Sequence, residues 1–146
     1  MDTTSNPKTS KLFIPKKIWQ SMQEHAAQNA PLEACGLVSG RIEKGSFQAV
    51  DVIPTTNILN SPIRYQIDPH EQLNAFYEME ASGLELVAIY HSHPHGPEVP
   101  SHTDIKEAYY PDSIHLIWSA SSGEWNCRGF LIHSDAVREV GLFITM

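Results

Sequence analysis

The spacing of apolar residues along the chain predicts two longer helices. Apolar side chains recur at helical intervals after Pro15, which predicts a first helix that ends by Asn29. A second helix is predicted to begin at Asp68, which can act as its N-cap, with a proline in the first helical position. Glu71 can complete a capping box, and Gly83 is predicted to end this helix.

Shorter apolar stretches predict the strands of a sheet. They lie at residues 11–14, 37–38, 47–53, 64–67, 84–92, 113–119, 125–133 and 137–145, and a short helix is predicted over 101–109. Because strands outnumber helices and two helices can cover them, the pattern predicts an α/β fold in which helices pack on a mixed sheet. Residues 1–10 are polar and predict a flexible tail, and residues 11–146 predict a single domain.

Composition narrows the classes of function. The chain has 10 Lys and Arg residues against 17 Asp and Glu residues, a formal net charge of −7, and no basic cluster that would bind nucleic-acid phosphates. No stretch approaches the roughly 18 continuous apolar residues of a membrane helix, and the polar N-terminus is unlike a signal peptide. Two cysteines do not indicate a disulfide framework. We therefore expect a cytoplasmic protein that binds neither nucleic acid nor membrane, with an oligomeric state that stays open.

The strand that follows the second helix ends in a pair of histidines. Side chains two residues apart in a strand point to the same face, so His91 and His93 project together and can bind one divalent metal. Pro94 ends the strand, and seven residues separate His93 from Ser101. If Ser101 caps a helix, Asp104 lies in its first turn and can return as a third ligand. Two histidines and a carboxylate leave a fourth position open, which is typical of a catalytic zinc site.

A hydrolytic metal site also needs a residue that moves protons. Three acids that are not assigned as ligands are candidates, namely Glu33, Glu98 and Glu107. Spacing alone does not choose among them. Glu33 precedes a buried strand in an apolar stretch, whereas Glu98 lies on a loop, and a carboxylate in apolar surroundings is more often functional.

These residues together resemble the signature of the JAMM, or MPN-plus, zinc metallopeptidase family. That signature is an upstream glutamate, then His-x-His-Pro, then a serine and an aspartate three residues after it. The corresponding residues here are Glu33, His91-Ser92-His93-Pro94, Ser101 and Asp104. The stretch PLEACGL at 31–37 is also similar to the family's glutamate segment. The resemblance covers residues 12–145, and the length of the chain is similar to that of small stand-alone prokaryotic members.

The resemblance implies a fold, a cofactor and a role for each residue. The implied fold is a curved mixed β-sheet flanked by helices, similar to that of cytidine deaminase. His91, His93 and Asp104 would bind Zn²⁺. Glu33 would take the proton of the attacking water and pass it to the leaving amine, and Ser101 would donate a hydrogen bond to the oxyanion.

The resemblance also implies a substrate class. Family members hydrolyse the bond after the C-terminal Gly-Gly of a ubiquitin-like or sulfur-carrier protein. Only eight residues separate Asp104 from the strand predicted at Ser113, which leaves no room for the long insertions of eukaryotic ubiquitin-chain enzymes. The alternatives are a non-catalytic MPN-like scaffold, which typically lacks a ligand, and a zinc hydrolase of a small molecule. Cys35 is expected to be a small buried residue beside the site.

Overall fold

The computed structural model describes residues 10–146, so residues 1–9 of the predicted tail lie outside the described part, while Ser10 is buried. The strands are β1 (Lys11–Pro15), β2 (Cys35–Glu43), β3 (Ser46–Thr55), β4 (Glu85–His93), β5 (Ile114–Ser119), β6 (Asn126–His133) and β7 (Ala136–Thr145). The helices are α1 (Lys16–Asn29), α2 (Pro69–Ala81) and α3 (His102–Lys106). Within residues 10–146, no helix has the length and apolar character needed to cross a membrane.

The strands form a ring rather than an open sheet. Their order is β1-β3-β2-β4-β5-β6-β7, and β1 pairs in parallel with both β3 and β7. The predicted mixed α/β fold is confirmed, but the curved mixed sheet that the resemblance implied is corrected to a closed barrel. Strand β1 closes the ring, because its backbone groups pair with β3 on one side and with β7 on the other. Its side chains Leu12 and Ile14 are fully buried, and the paired backbone leaves no open sheet edge at this position.

Alternation along the strands divides the core between the two sides of the barrel wall. On β4, Tyr90 belongs to the apolar cluster that includes residues of α1, whereas Ile89 belongs to the cluster that includes residues of α2. His91 lies two residues from Ile89 and therefore faces the side of α2. Gly36 of β2 allows this close packing, because a Cβ there would lie 2.3 Å from the Tyr90 ring.

The segment between β3 and α2 differs from the prediction. The strand predicted at 64–67 does not form, and only an isolated bridge joins this stretch to Asn57. The side-chain oxygen of Asn57 instead accepts hydrogen bonds from the backbone N–H groups of Leu59 and Gln66. Its NH₂ group donates to the carbonyl oxygen of Arg64. One amide side chain thus takes the place of a partner strand and folds the segment back on itself.

The start of α2 confirms one cap and corrects another. Asp68 accepts hydrogen bonds from the N–H groups of His70 and Glu71, as an N-cap does. The predicted capping box is wrong, because the Glu71 carboxylate accepts from the N–H and the hydroxyl of Thr56 instead. These two bonds tie the first turn of α2 to the residue that follows β3.

Candidate metal centre

The end of β4 brings two imidazoles together. His91 and His93 are both buried, and their Nε2 atoms lie 3.0 Å apart. Ser92 between them is also buried; its Oγ accepts the N–H of Ala34 at 2.8 Å, and its own N–H donates to the Ala34 carbonyl at 3.0 Å. The histidine pair is therefore anchored to the residue next to Glu33.

The short helix α3 brings a carboxylate to the histidines. Ser101 caps it as predicted, because its Oγ accepts the N–H of Asp104 at 3.0 Å while its own N–H donates to Oδ2 of Asp104 at 2.8 Å. Oδ2 lies 3.1 Å from Nε2 of His91 and 3.1 Å from Nε2 of His93. The three atoms form a nearly equilateral triangle. The cap does not use the hydroxyl hydrogen of Ser101, which can therefore be donated elsewhere.

This donor set fits a divalent cation. Nδ1 of His93 lies 2.8 Å from the carbonyl oxygen of Pro97, and this contact requires a proton on Nδ1 because a carbonyl only accepts. In the neutral ring, Nε2 is then a lone pair facing the Asp104 carboxylate, and the two acceptors repel unless a proton or a metal lies between them. Ligands of tetrahedral zinc, with bonds of about 2.0–2.1 Å, lie about 3.4 Å apart. The three donor atoms, which lie 3.0–3.1 Å apart, therefore need to separate only slightly to bind a zinc ion.

The ionisation of the three groups also favours a cation. Burial lowers the pKa of His91, and hydrogen bonding to Asp104 offsets only part of this effect. Burial acts in the same direction on His93, but hydrogen bonds to Asp104 and to Pro97 raise its pKa overall. Burial opposes ionisation of Asp104, yet its hydrogen bonds with the two imidazoles hold its pKa well below the usual range. Asp104 is therefore negatively charged wherever the histidines are neutral.

Glu33 lies directly before β2, at the same end of the barrel. It is 3% exposed, and one of its oxygens and a ring nitrogen of each of His91 and His93 lie within 4.8 Å of one another. Burial raises the pKa of Glu33 to about 8, with His93 opposing the shift and Asp104 adding to it. A carboxyl group with a pKa near neutrality can both accept and deliver a proton.

The other acids considered as bases have different surroundings. Glu98 accepts a hydrogen bond from the hydroxyl of Ser121 in a neighbouring loop. Glu107 has a side chain that is 41% exposed and pairs with Arg64 at 3.4 Å. Cys35 is buried as expected, and burial raises the pKa of its thiol to about 11, so the thiol is neutral and a poor nucleophile.

Two ring side chains beside the centre have no counterpart in the sequence argument. Tyr65 stacks on His91 with ring centroids 4.4 Å apart and lines a cavity of about 400 Å³ that reaches Asp104. His115 of β5 lines the same cavity, and its buried Nε2 has no hydrogen-bond partner among residues 10–146. Burial lowers the pKa of His115 to about 4, so its ring is neutral. The available signal in the sequence was one histidine in a strand whose other residues, apart from Ser119 at its end, are apolar.

Comparison with known proteins identifies the family. A model of prokaryotic homologues of the JAB domain matches residues 15–130. The chain belongs to this family. The resemblance drawn from the signature is thus confirmed, and the matched range contains every residue of the candidate centre. The family together with the grouping of Glu33, His91 and His93 indicates a metal-binding site in this JAB domain.

Relatives of this JAB domain are enzymes. A probable TtuB-protein conjugate cleaving protease of Thermus thermophilus is 43% identical over 66% of this chain and 63% of that protein. A CysO-cysteine peptidase of Mycobacterium tuberculosis is 38% identical over 88% of this chain and 87% of that protein. A desampylase of Haloferax volcanii is 35% identical over 88% of this chain and 98% of that protein.

Solved structures agree with the JAB fold. A solution structure of a protein from Desulfitobacterium hafniense is 36% identical and superimposes with a TM-score of 0.83 over 92% of each chain. A solution structure from Salinibacter ruber, 22% identical, superimposes with a TM-score of 0.69 over 90% of this chain and 91% of that chain. The similarity therefore extends over nearly the whole domain; the second structure supports the fold alone.

Proposed function

We propose that this JAB protein is a zinc-dependent peptidase or isopeptidase that hydrolyses the bond after the C-terminal Gly-Gly of a ubiquitin-like or sulfur-carrier protein. The observation that carries the proposal is the convergence of Nε2 of His91, Nε2 of His93 and Oδ2 of Asp104 at 3.0–3.1 Å, beside the buried carboxyl of Glu33. The names of the Thermus and Mycobacterium relatives support the substrate class. Both cysteines are unpaired, which supports a cytoplasmic location.

The geometry supports a division of roles among the four groups. We assign His91, His93 and Asp104 as ligands, because their donor atoms converge on one point at nearly the spacing that a tetrahedral ion requires. We assign Glu33 as the base, because one of its carboxylate oxygens lies within 4.8 Å of a ring nitrogen of each histidine, close enough to share one water with the centre. Two imidazoles and one carboxylate with an open fourth position suit zinc.

The residues of the chain then provide the proton transfers. A zinc ion at this site would polarise the substrate carbonyl and lower the pKa of water. Glu33 accepts the proton of the attacking water and delivers it to the departing amine. A nearby cation favours the charged form of a carboxyl and so lowers its pKa, which keeps Glu33 basic near neutral pH. The Ser101 hydroxyl donates to the oxyanion, an interaction commonly worth about 2.7–4 kcal/mol in the barrier.

The cavity beside Asp104 has room for the peptide that flanks the scissile bond. Arg64 and Tyr65 line one part of its wall, and Tyr109 lines another. Glycines expose their backbone on all sides, so a Gly-Gly tail can approach a buried centre that a larger side chain would block. Backbone hydrogen bonds to such an extended tail add affinity without depending on its sequence.

Cleavage of defined conjugates tests the proposal. The zinc-loaded protein is incubated with ubiquitin-like and sulfur-carrier proteins extended beyond Gly-Gly by one amino acid or by a peptide, and the products are identified by intact-mass spectrometry. We expect a product that ends at the second glycine, no cleavage when Gly-Gly is replaced by Val-Val, and about 10²–10⁴-fold slower cleavage by Glu33→Gln. No product from any conjugate, with one zinc bound per chain, would contradict the proposal.

A further inference from the structure

The side chain of Asn57 has a full set of hydrogen-bond partners although it lies outside every helix and strand. It is 9% exposed. Its NH₂ group donates to the carbonyl oxygens of Glu33 and Arg64, both at 3.0 Å, and its oxygen accepts from Leu59 and Gln66, both at 3.1 Å. Because two partners are carbonyls and two are N–H groups, the orientation of the amide is fixed.

The backbone of Glu33 depends on this segment. Glu33 precedes β2, so no strand pairing holds it. Its N–H donates to the carbonyl oxygen of Ser61 at 2.9 Å, and its own carbonyl accepts from Asn57. Both polar backbone atoms of the proposed base are thus bound by residues 57–66. By contrast, the next residue, Ala34, is bound by Ser92 between the two histidines.

The same segment forms part of the proposed substrate cavity. Arg64 and Tyr65 follow Asn57 in the segment and line the cavity beside Asp104. Tyr65 also stacks on His91. A single loop therefore contacts the base, one proposed ligand and the space for the substrate, and the Asn57 amide is the side chain that joins the loop to the base.

From these contacts we infer that Asn57 is a positioning residue, which fixes the Glu33 backbone to the 57–66 segment so that the carboxyl stands correctly for proton transfer. The inference rests on the proposed function of Glu33 as base. Asn57 acts through Glu33 and contacts no reacting atom. A displacement of about 1 Å in a catalytic group can reduce the rate about 10²-fold, so we expect the loss of the Asn57 donors to slow the proton transfer.

Asn57→Asp is the sharpest variant, because it keeps the shape and the oxygen that accepts from Leu59 and Gln66 while removing both donors. Asn29→Asp is a matched control: the Asn29 NH₂ group donates to the His25 carbonyl at 2.9 Å, at the end of α1. We expect Asn57→Asp to lower kcat by about 10- to 100-fold with KM changed less than about threefold. Asn29→Asp should leave both constants close to those of the wild type. A rise in KM with unchanged kcat would overturn the inference.

A double-mutant cycle separates positioning from a general loss of structure. If Asn57 acts through the Glu33 carboxylate, then adding Asn57→Asp to Glu33→Gln should change the residual single-turnover rate by less than about twofold. Multiplicative losses would show that Asn57 acts independently of Glu33 and would overturn the inference.

Crystal structures test the positioning role of Asn57 without a measurement of activity. Crystal structures of the wild type and of Asn57→Asp should show the Glu33 carboxyl displaced relative to His93 in the variant; an unmoved carboxyl would overturn the inference. If the wild type cleaves no conjugate but the displacement is seen, the proposed function fails while the positioning role stands.

Discussion

Replacing Glu33 by glutamine should make the metal-free protein more stable while it removes activity. The carboxyl of Glu33 is buried, and its pKa is raised to about 8 from an ordinary value of 4.5. Between these two pH values the unfolded chain releases this proton and the folded chain retains it. The free energy of unfolding of the wild type therefore falls as the pH rises from 4.5 to 8. Glutamine has a similar shape and does not ionise, so the free energy of unfolding of the variant does not fall over this pH range for this reason.

The size of the effect follows from the two pKa values. The folded and unfolded forms differ by 3.5 pH units, and at about 1.36 kcal/mol per unit the upper limit is about 5 kcal/mol. Small movements that admit water to the carboxylate reduce this cost, so we expect the variant to gain about 2–3 kcal/mol over the wild type between pH 5 and pH 8.5. A bound dication offsets the same cost, which links metal binding to stability in the wild type.

Urea unfolding of EDTA-treated protein, followed by tryptophan fluorescence, measures this difference at both pH values. Glu24→Gln is a matched control, because Glu24 is exposed on α1, and its difference from the wild type should not change with pH by more than about 0.5 kcal/mol. The reasoning would be refuted if Glu33→Gln were no more stable relative to the wild type at pH 8.5 than at pH 5.

Two further predictions concern the cap and the ligands. Ser101→Ala should lower kcat by about 10²–10³-fold with KM nearly unchanged, because it removes the proposed donor to the oxyanion. Single-turnover rates equal to those of the wild type would contradict that role and leave Ser101 only as the N-cap of α3. Zinc should be released at acid pH, because protons compete with the metal for both imidazoles while Asp104 stays ionised; the raised pKa of His93 in the metal-free site strengthens this competition. A fluorescent zinc indicator measures the release, and full retention near pH 4, well below the usual pKa of histidine, would contradict the ligand assignment.

The grouping of His91, His93 and Asp104 could be predicted because each of these residues belongs to a short local pattern. His91 and His93 share a face by strand alternation, and Asp104 follows Ser101 at the spacing of a helix cap. These rules act over a few residues and do not depend on the rest of the fold. Glu33 is different: its distance from the histidines is set by the pairing of β2 with β4, and spacing left it among three acids until the family signature selected it.

The features that could not be predicted arise from contacts between distant parts of the chain. The parallel pairing of β1 with β7 joins residues about 130 positions apart, and no local pattern encodes whether a sheet remains open or closes. The apolar alternation at 64–67 resembled a strand, but the hydrogen bonds of Asn57 satisfy the local backbone and leave no partner strand. Tyr65 gains its place beside His91 only through that folded segment.

Closure of the barrel affects how well the candidate metal centre withstands local unfolding. The contact between β1 and β3 is the shortest in the ring, with three residue pairs against nine between β2 and β3. Local unfolding of the barrel should therefore begin at this junction, where the fewest backbone bonds must break. In the ring order, β4 lies three strands from β1 in one direction and four in the other. When the ring opens at the junction of β1 and β3, two strands separate the histidines of β4 from the opening on one side and four on the other. The ends of the ring can therefore fray and re-form while the two histidines stay together.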